Sequence, residues 1–260
     1  MKKTIGLYDS GVGGLSVLKE MLSRFPNEKF IYFADTANLP YGNKTKMEII
    51  QYSNVISNWL EKEMGVDVII AACNTSSALA LDEISADINV PIIGTIKPIL
   101  NYINSDVKIK KLGVIGTQAS IDSGIHEKMI KASGFAGDVL PLACPEFVDI
   151  IENGIMDSDL AKQIVKDRLM PLNNKIDSLI FGCTHYLFIR DIVEDIFGPD
   201  IVYIDPAQYI AAEVAKFINT EPSEEQLTNI SFYTSSDPEL FSAKLINLIG
   251  IKAKPTFVAL

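Results

Sequence analysis

Val68-Ile69-Ile70-Ala71-Ala72-Cys73-Asn74-Thr75 and Leu179-Ile180-Phe181-Gly182-Cys183-Thr184-His185 set the architecture of this 260-residue chain. Each is a short apolar run of strand character that stops at a cysteine and passes at once into polar, helix-starting residues. The same alternation recurs along the chain. Strands are expected near 4–8, 29–34, 66–72, 91–94, 111–116, 138–142, 177–182 and 201–204. Helices are expected over 14–24, 45–64, 75–88, 97–104, 122–133, 146–153, 157–173, 186–196 and 206–218. Strand–helix alternation argues for parallel sheets with helices on both faces. Beyond about residue 220 the pattern weakens, although Ile230-Ser231-Phe232-Tyr233-Thr234 has strand character and 237–249 helical character.

A faint repeat underlies this pattern. Ile5-Gly6-Leu7-Tyr8-Asp9-Ser10 resembles Leu112-Gly113-Val114-Ile115-Gly116-Thr117, with the glycines 107 positions apart (113 − 6). The two cysteines lie 110 apart (183 − 73). Similar offsets at two motifs argue for duplication. The expected fold is α/β, with two similar, pseudo-symmetric lobes, each a mostly parallel sheet flanked by helices. One lobe is expected to take residues 1–97 plus 208–260 and the other 98–207. Ligands of such sheets bind outside the carboxyl ends of the strands, which places a site in the cleft between the lobes.

Composition narrows the partners. The net charge of −10 disfavours nucleic acid or an anionic membrane. It leaves room for a small anionic substrate, because local hydrogen-bond donors outweigh a global field. No stretch reaches the roughly 18 uninterrupted apolar residues of a membrane span. Lys2-Lys3 are followed by an apolar run that breaks at Asp9, too short for a signal peptide. A cytoplasmic location is therefore expected. Three cysteines, an odd number, fit reduced thiols better than a disulfide framework.

The chemistry-bearing residues sit where strands hand over to helices. Asp9-Ser10-Gly11-Val12-Gly13-Gly14 fails the dinucleotide pattern, because Ser16 stands at the third glycine position, and it lacks the Gly-Lys end of a phosphate loop. It is a flexible turn that presents Asp9 and Ser10, or else a plain helix cap. Cys73 precedes a helix whose dipole would lower the thiol pKa from about 8.5 towards neutrality. Asn74, Thr75 and the free N–H groups there make a ready carboxylate site; the bland alternative is a buried core cysteine beside an ordinary cap. In Cys183-Thr184-His185, residues two apart on an extended segment share a face, so His185 can tune the thiol. His126, in a helix, and Cys144, before Pro145, are read as structural. Taken alone, Glu152 reads as a surface carboxylate and Pro40-Tyr41-Gly42 as a turn.

In combination these segments resemble the cofactor-independent aspartate/glutamate racemase superfamily. The resemblance rests on Asp9 to Leu15, Asp35-Thr36 with Pro40-Tyr41-Gly42, Cys73-Asn74-Thr75, Gly116-Thr117, Glu152 and Gly182-Cys183-Thr184-His185-Tyr186, in that order from residue 5 to about 205. The chain departs at Leu187, where the family usually has proline, at Ser120 for a common threonine, and at Ala34 for a frequent glycine. None of these removes a proton-carrying group.

The resemblance implies interconversion of L- and D-glutamate by two cysteines, supplying D-glutamate for peptidoglycan. Cys73 would deprotonate the D-enantiomer and Cys183 the L-enantiomer. Asp9 would assist Cys73, while His185 and Glu152 would assist Cys183. Asn74, Thr75 and Thr184 would hold the α-carboxylate. Ser10, Tyr41, Gly42 and Thr117 would serve the side-chain carboxylate, partly through backbone N–H groups, and Pro40 would also line the substrate site. No pyridoxal phosphate, other cofactor or metal is implied, and a homodimer is.

The chemistry agrees with paired thiols, since inverting a carbon requires acid/base groups on opposite faces. Three alternatives stand beside it. A sibling racemase would act on aspartate or a hydantoin. A bilobal amino-acid-binding protein would need no thiols. A cysteine phosphatase would need Cys-x5-Arg, but Arg190 lies seven residues after Cys183, with bulky residues between.

Overall fold

The computed structural model describes residues 2–218 and 229–260; Met1 and residues 219–228, which fall within the expected 208–260 segment, lie outside the described residues. The described strands form two sheets, and every recorded strand pair is parallel. The first holds β1 (Thr4–Asp9), β2 (Lys29–Ala34), β3 (Val68–Ala71) and β4 (Ile92–Ile93). The second holds β5 (Lys111–Gly116), β6 (Asp138–Ala143), β7 (Ser178–Gly182) and β8 (Val202–Ile204). The chain then returns to the first sheet with β9 (Asn229–Thr234) and β10 (Thr256–Phe257).

The spatial orders are β10-β9-β2-β1-β3-β4 and β6-β5-β7-β8. Four strands of the first sheet, β2-β1-β3-β4, thus repeat the order of the second. The register repeats too. Gly6 pairs with Ile69 and Gly113 with Leu179, and in each sheet a cysteine follows four residues beyond that partner. The duplication read from the sequence is therefore a duplication of pairing, and it sets Cys73 and Cys183 at equivalent strand ends.

The helices follow the expected plan with local breaks. α1 (Leu15–Arg24) and α2 (Lys46–Lys62) lie close to the expected spans; α2 opens on a capping box between Thr45 and Glu48. The helix expected over 75–88 is two pieces, α3 (Asn74–Leu79) and α4 (Leu81–Ile84). Ser77 Oγ donates to Ala71 O at 2.9 Å, tying α3 back to its strand. α5 (Leu100–Ser105) is preceded by a 3-10 turn, Lys97–Ile99.

The helix expected over 122–133 begins earlier and divides into α6 (Gln118–Asp122) and α7 (Ile125–Ala132). Gly124 turns between them at φ +64°, a left-handed value that glycine adopts without steric cost. α8 (Glu146–Glu152), α9 (Asp159–Leu169), α10 (Arg190–Phe197), α11 (Pro206–Val214) and α12 (Pro238–Ile249) complete the set. α11 and α12 each start with an aspartate cap and proline, Asp205-Pro206 and Asp237-Pro238.

β3 and β7 are buried along their whole length, as expected of inner strands covered on both faces. The largest apolar cluster is continuous from Ile5 and Leu7 of the first sheet to Phe181 and Cys183 of the second. The two sheets therefore share a packed interface that includes Cys183, while Cys73 sits in a smaller cluster with Tyr41, Ile49 and Ala80, within electrostatic reach of Cys183. No helix among the described residues is long and apolar enough to cross a membrane.

Candidate active site

Both thiols sit at the interface between the sheets and both are buried. Cys73 is the residue before α3; its sulfur lies 3.9 Å from Ser10 Oγ, at the end of β1. Behind it the hydroxyls of Tyr8, Ser53, Ser57 and Ser76 gather in the core, without a hydrogen bond of ordinary geometry among the described residues. Burial, and next the Asp9 charge, push the Cys73 thiol up to about 12. This corrects the lowering expected from a helix dipole. α3 has only six residues, and the loss of water outweighs what its N–H groups return.

Cys183 is surrounded differently. Its sulfur is 3.8 Å from His185 Nδ1, and His185 Nε2 is 2.8 Å from Glu152 Oε1. The proximity of Cys183 and His185 was expected, but strand alternation does not produce it. Cys183 is extended, and Thr184–Ile189 then coils as a 3-10 helix that turns the imidazole back towards the sulfur. Burial opposes a charge on His185, but hydrogen bonds and charge from Cys183 and Glu152 more than offset it and raise its pKa well above the usual value. Glu152 moves the opposite way. Burial alone would raise it, yet His185 and then Lys244 hold the carboxyl down at about 2. Glu152 is therefore a buried carboxylate, not the surface group its sequence context suggested.

Asp9 braces the two sides together. Its Oδ2 accepts from Gly11 N–H at 2.8 Å, and its Oδ1 accepts from Thr184 Oγ1, across the interface, at 3.2 Å. Burial raises the Asp9 pKa, while His185 and the Gly11 and Gly14 N–H groups pull it back. Gly14, not Asp9, occupies the N-cap position of α1. The glycine-rich turn has a steric cause. A Cβ at Gly13 would strike His185 Nδ1 and Thr184 Oγ1, and one at Gly11 would strike Leu39 and Glu152 Oε1. The turn is bare because groups of the second sheet crowd against it.

The remaining expected residues gather nearby. Asn74 Oδ1 accepts from Thr95 Oγ1 at 2.6 Å, and its buried Nδ2 has no partner among the described residues. Thr75 and Thr117 hydroxyls meet at 2.9 Å, first lobe to second. Gly42 lies against Thr117, where a Cβ would come within 2.9 Å of the threonine Cβ. A cavity of about 50 Å³ opens beside Pro40, Gly42 and Thr117. Tyr41 is held by its side chain. Its hydroxyl donates to Asp35 Oδ2 at 2.6 Å, and Ser235 Oγ donates to Asp35 Oδ1 at 2.7 Å, so the phenol is committed away from any ligand.

His126 and Cys144 keep their structural readings. Burial takes His126 down to about 4, which leaves it neutral, and the Cys144 carbonyl accepts from Tyr186 Oη at 2.7 Å. Among the described residues no three of His, Cys, Asp and Glu are arranged to hold a metal ion.

Sequence reasoning missed Lys244. It stands in α12, and its Nζ is 2.5 Å from Glu152 Oε2. The available signal was a single basic residue in the apolar run Leu240-Phe241-Ser242-Ala243-Lys244-Leu245-Ile246.

Comparison with known proteins agrees with this geometry. A family model described as Asp/Glu/hydantoin racemase matches residues 10–214. A glutamate racemase from Trichodesmium erythraeum is 38% identical over 263 residues, covering 100% of this chain and 96% of the relative. The structure of a glutamate racemase isoform from Bacillus anthracis superposes with a TM-score of 0.91 at 29% identity, covering 99% of this chain and 98% of that one. That of a glutamate racemase from Francisella tularensis, in complex with D-glutamate, superposes with a TM-score of 0.87 at 30% identity, covering 99% and 98%. A matched model over most of the chain and a relative aligned from end to end both lead to one conclusion: the chain belongs to the Asp/Glu/hydantoin racemase family.

Proposed function

We propose that the protein racemises glutamate by moving a proton between Cα and two cysteines on opposite faces. One observation carries the reading: two buried thiols end equivalent strands of two sheets, in the same register, and converge on one interface. A single base would have to travel around the substrate; two facing bases need not. Cys73 takes the Cα proton of D-glutamate and Cys183 that of L-glutamate, and each returns a proton in the opposite direction. Asp9 supports the Cys73 side, and His185 with Glu152 the Cys183 side.

The α-carboxylate falls to Asn74, Thr75 and Thr184. The buried Asn74 Nδ2, without a partner among the described residues, is a donor suited to a carboxylate. Ser10, Pro40, Tyr41, Gly42 and Thr117 receive the side-chain carboxylate, Tyr41 through its backbone. Negative charge that develops at the substrate is met by fixed donors in a site from which water is largely excluded. The names of the full-length relatives favour glutamate over aspartate.

The wider reading is a cytoplasmic homodimer that supplies D-glutamate to peptidoglycan. It is divided into lobes 1–97 plus 208–260 and 98–207. A monomer by light scattering would remove the dimer. The test of function is incubation of purified protein with L-glutamate in D2O, without added cofactor, with L-aspartate in parallel. Loss of optical rotation together with the Cα proton signal of glutamate supports the reading. Reaction of aspartate alone moves the assignment to the sibling enzyme. No reaction of either in a folded, reduced sample contradicts it.

A further inference from the structure

We propose that Lys244 is a positioning residue for this reaction, an ion-pair clamp from α12 that aims Glu152 at His185. The proposal rests on the racemase reading above and adds to it a role for the C-terminal segment. Glu152 receives three donors. Val12 N–H approaches Oε1 at 3.2 Å, His185 Nε2 approaches the same oxygen at 2.8 Å, and Lys244 Nζ takes Oε2 at 2.5 Å. With Oε2 occupied by a cation, Oε1 is left to the imidazole, whose other nitrogen faces Cys183. The carboxylate side chain is 7% exposed and the lysine side chain 21% exposed, so the pair is largely shielded from water and its charge is felt at the histidine.

The clamp also crosses the molecule. α12 packs on α1 and β9 of the first lobe, whereas Glu152 ends α8 beside the second sheet. The return of the chain to the first sheet after residue 229 thus delivers one side chain to the site. Around this pair stand Asp9 at the end of β1, Tyr32 on β2, and Cys183 and His185 after β7. The nearby anion, Asp9, acts against ionised Glu152. Lys244 is therefore the cation, besides the histidine itself, that keeps the carboxylate charged. Removing it raises the Glu152 pKa from about 2. At His185, loss of a neighbouring positive charge alone would raise the pKa, so a fall there reports loss of the aimed Glu152 hydrogen bond.

The test compares Lys244→Met, Lys244→Gln and Lys244→Arg with wild type, each checked for folding by circular dichroism. Two readouts are taken: the His185 titration by NMR, and the pH profile of kcat/KM for each enantiomer. The neutral variants should show a lower His185 pKa and a roughly tenfold to hundredfold loss of kcat/KM. The loss must be equal in both directions, because two enantiomers have an equilibrium constant of one. Their active pH window should narrow from both sides, and Lys244→Arg should recover most of the rate and the width. An unchanged His185 titration in Lys244→Gln overturns the clamp. Equal impairment of Lys244→Arg and Lys244→Gln overturns it in favour of simple packing. The titration is read whether or not the protein racemises glutamate, so failure of the clamp and failure of the functional reading are separate results.

Discussion

Around Cys73 stand an aspartate and a set of hydroxyls; around Cys183 stand an imidazole, a glutamate and a lysine. The strands that carry the two sulfurs match in order and in register. Their supports do not match, and on the proposed two-base reading they need not, since each thiol would meet the substrate from its own side. Burial and the Asp9 charge hold Cys73 protonated, with its pKa pushed up to about 12. The cationic donor lies on the other side, 3.8 Å from the Cys183 sulfur. Cys73 is thus the thiol held with its proton. Duplication of the backbone supplied two equivalent positions, and divergence of the neighbours made them inequivalent in charge.

The largest expected effect is on the thiols. Cys73→Ala and Cys183→Ala should each fold and each lose racemisation by roughly 10²–10⁴-fold or more, followed by optical rotation. Near-normal turnover in either variant would end the two-base account. The next largest probes the Cys183 side through the backbone. Gly13→Ala pushes a methyl group onto His185 and Thr184 and should cost roughly tenfold to a hundredfold in kcat, with about 1–3 kcal/mol of stability by urea unfolding. Wild-type kinetics there would mean that the imidazole has room to move. On the Cys73 side, Asp9→Asn should lower kcat roughly tenfold and raise KM less. An unchanged kcat would reduce Asp9 to a brace for the Gly11 turn.

The smallest effect is thermodynamic. The folded Glu152 pKa of about 2 lies below the ordinary 4.5, so its ion pairs stabilise the fold above about pH 4.5 and lose that contribution as pH falls towards 2. At neutral pH this is on the order of 3 kcal/mol. The stability gap between wild type and Glu152→Gln should therefore close on acidification. A gap that does not change with pH would contradict the buried-carboxylate assignment.

Most of the fold was legible because apolar runs such as Val68 to Ala72 and Leu179 to Gly182 are bounded by polar residues, and length alone separates strand from helix there. The expected helix over 75–88 breaks at Ala80, whose φ of −115° leaves the helical range, a local departure that periodicity does not register. The thiols, Asp9 and His185 could be singled out because they lie at or just beyond strand ends. Their energetics were not legible, since burial at a lobe interface depends on residues more than a hundred positions away. Glu152 shows the same limit. Its partners His185 and Lys244 come from two other elements, and nothing local marks it as buried. Lys244 lies in a segment with no recognisable signature, and only the return of β9 to the first sheet brings its helix to the site.

The central claim, two bases on opposite faces, is tested most directly in the first turnovers of L-glutamate in D2O. D-glutamate formed early should carry deuterium at Cα while the remaining L-glutamate keeps its proton, because the proton removed by one thiol is not the one returned by the other. Early D-glutamate that retains the substrate's own proton would show a single base carrying it across, and would contradict the account.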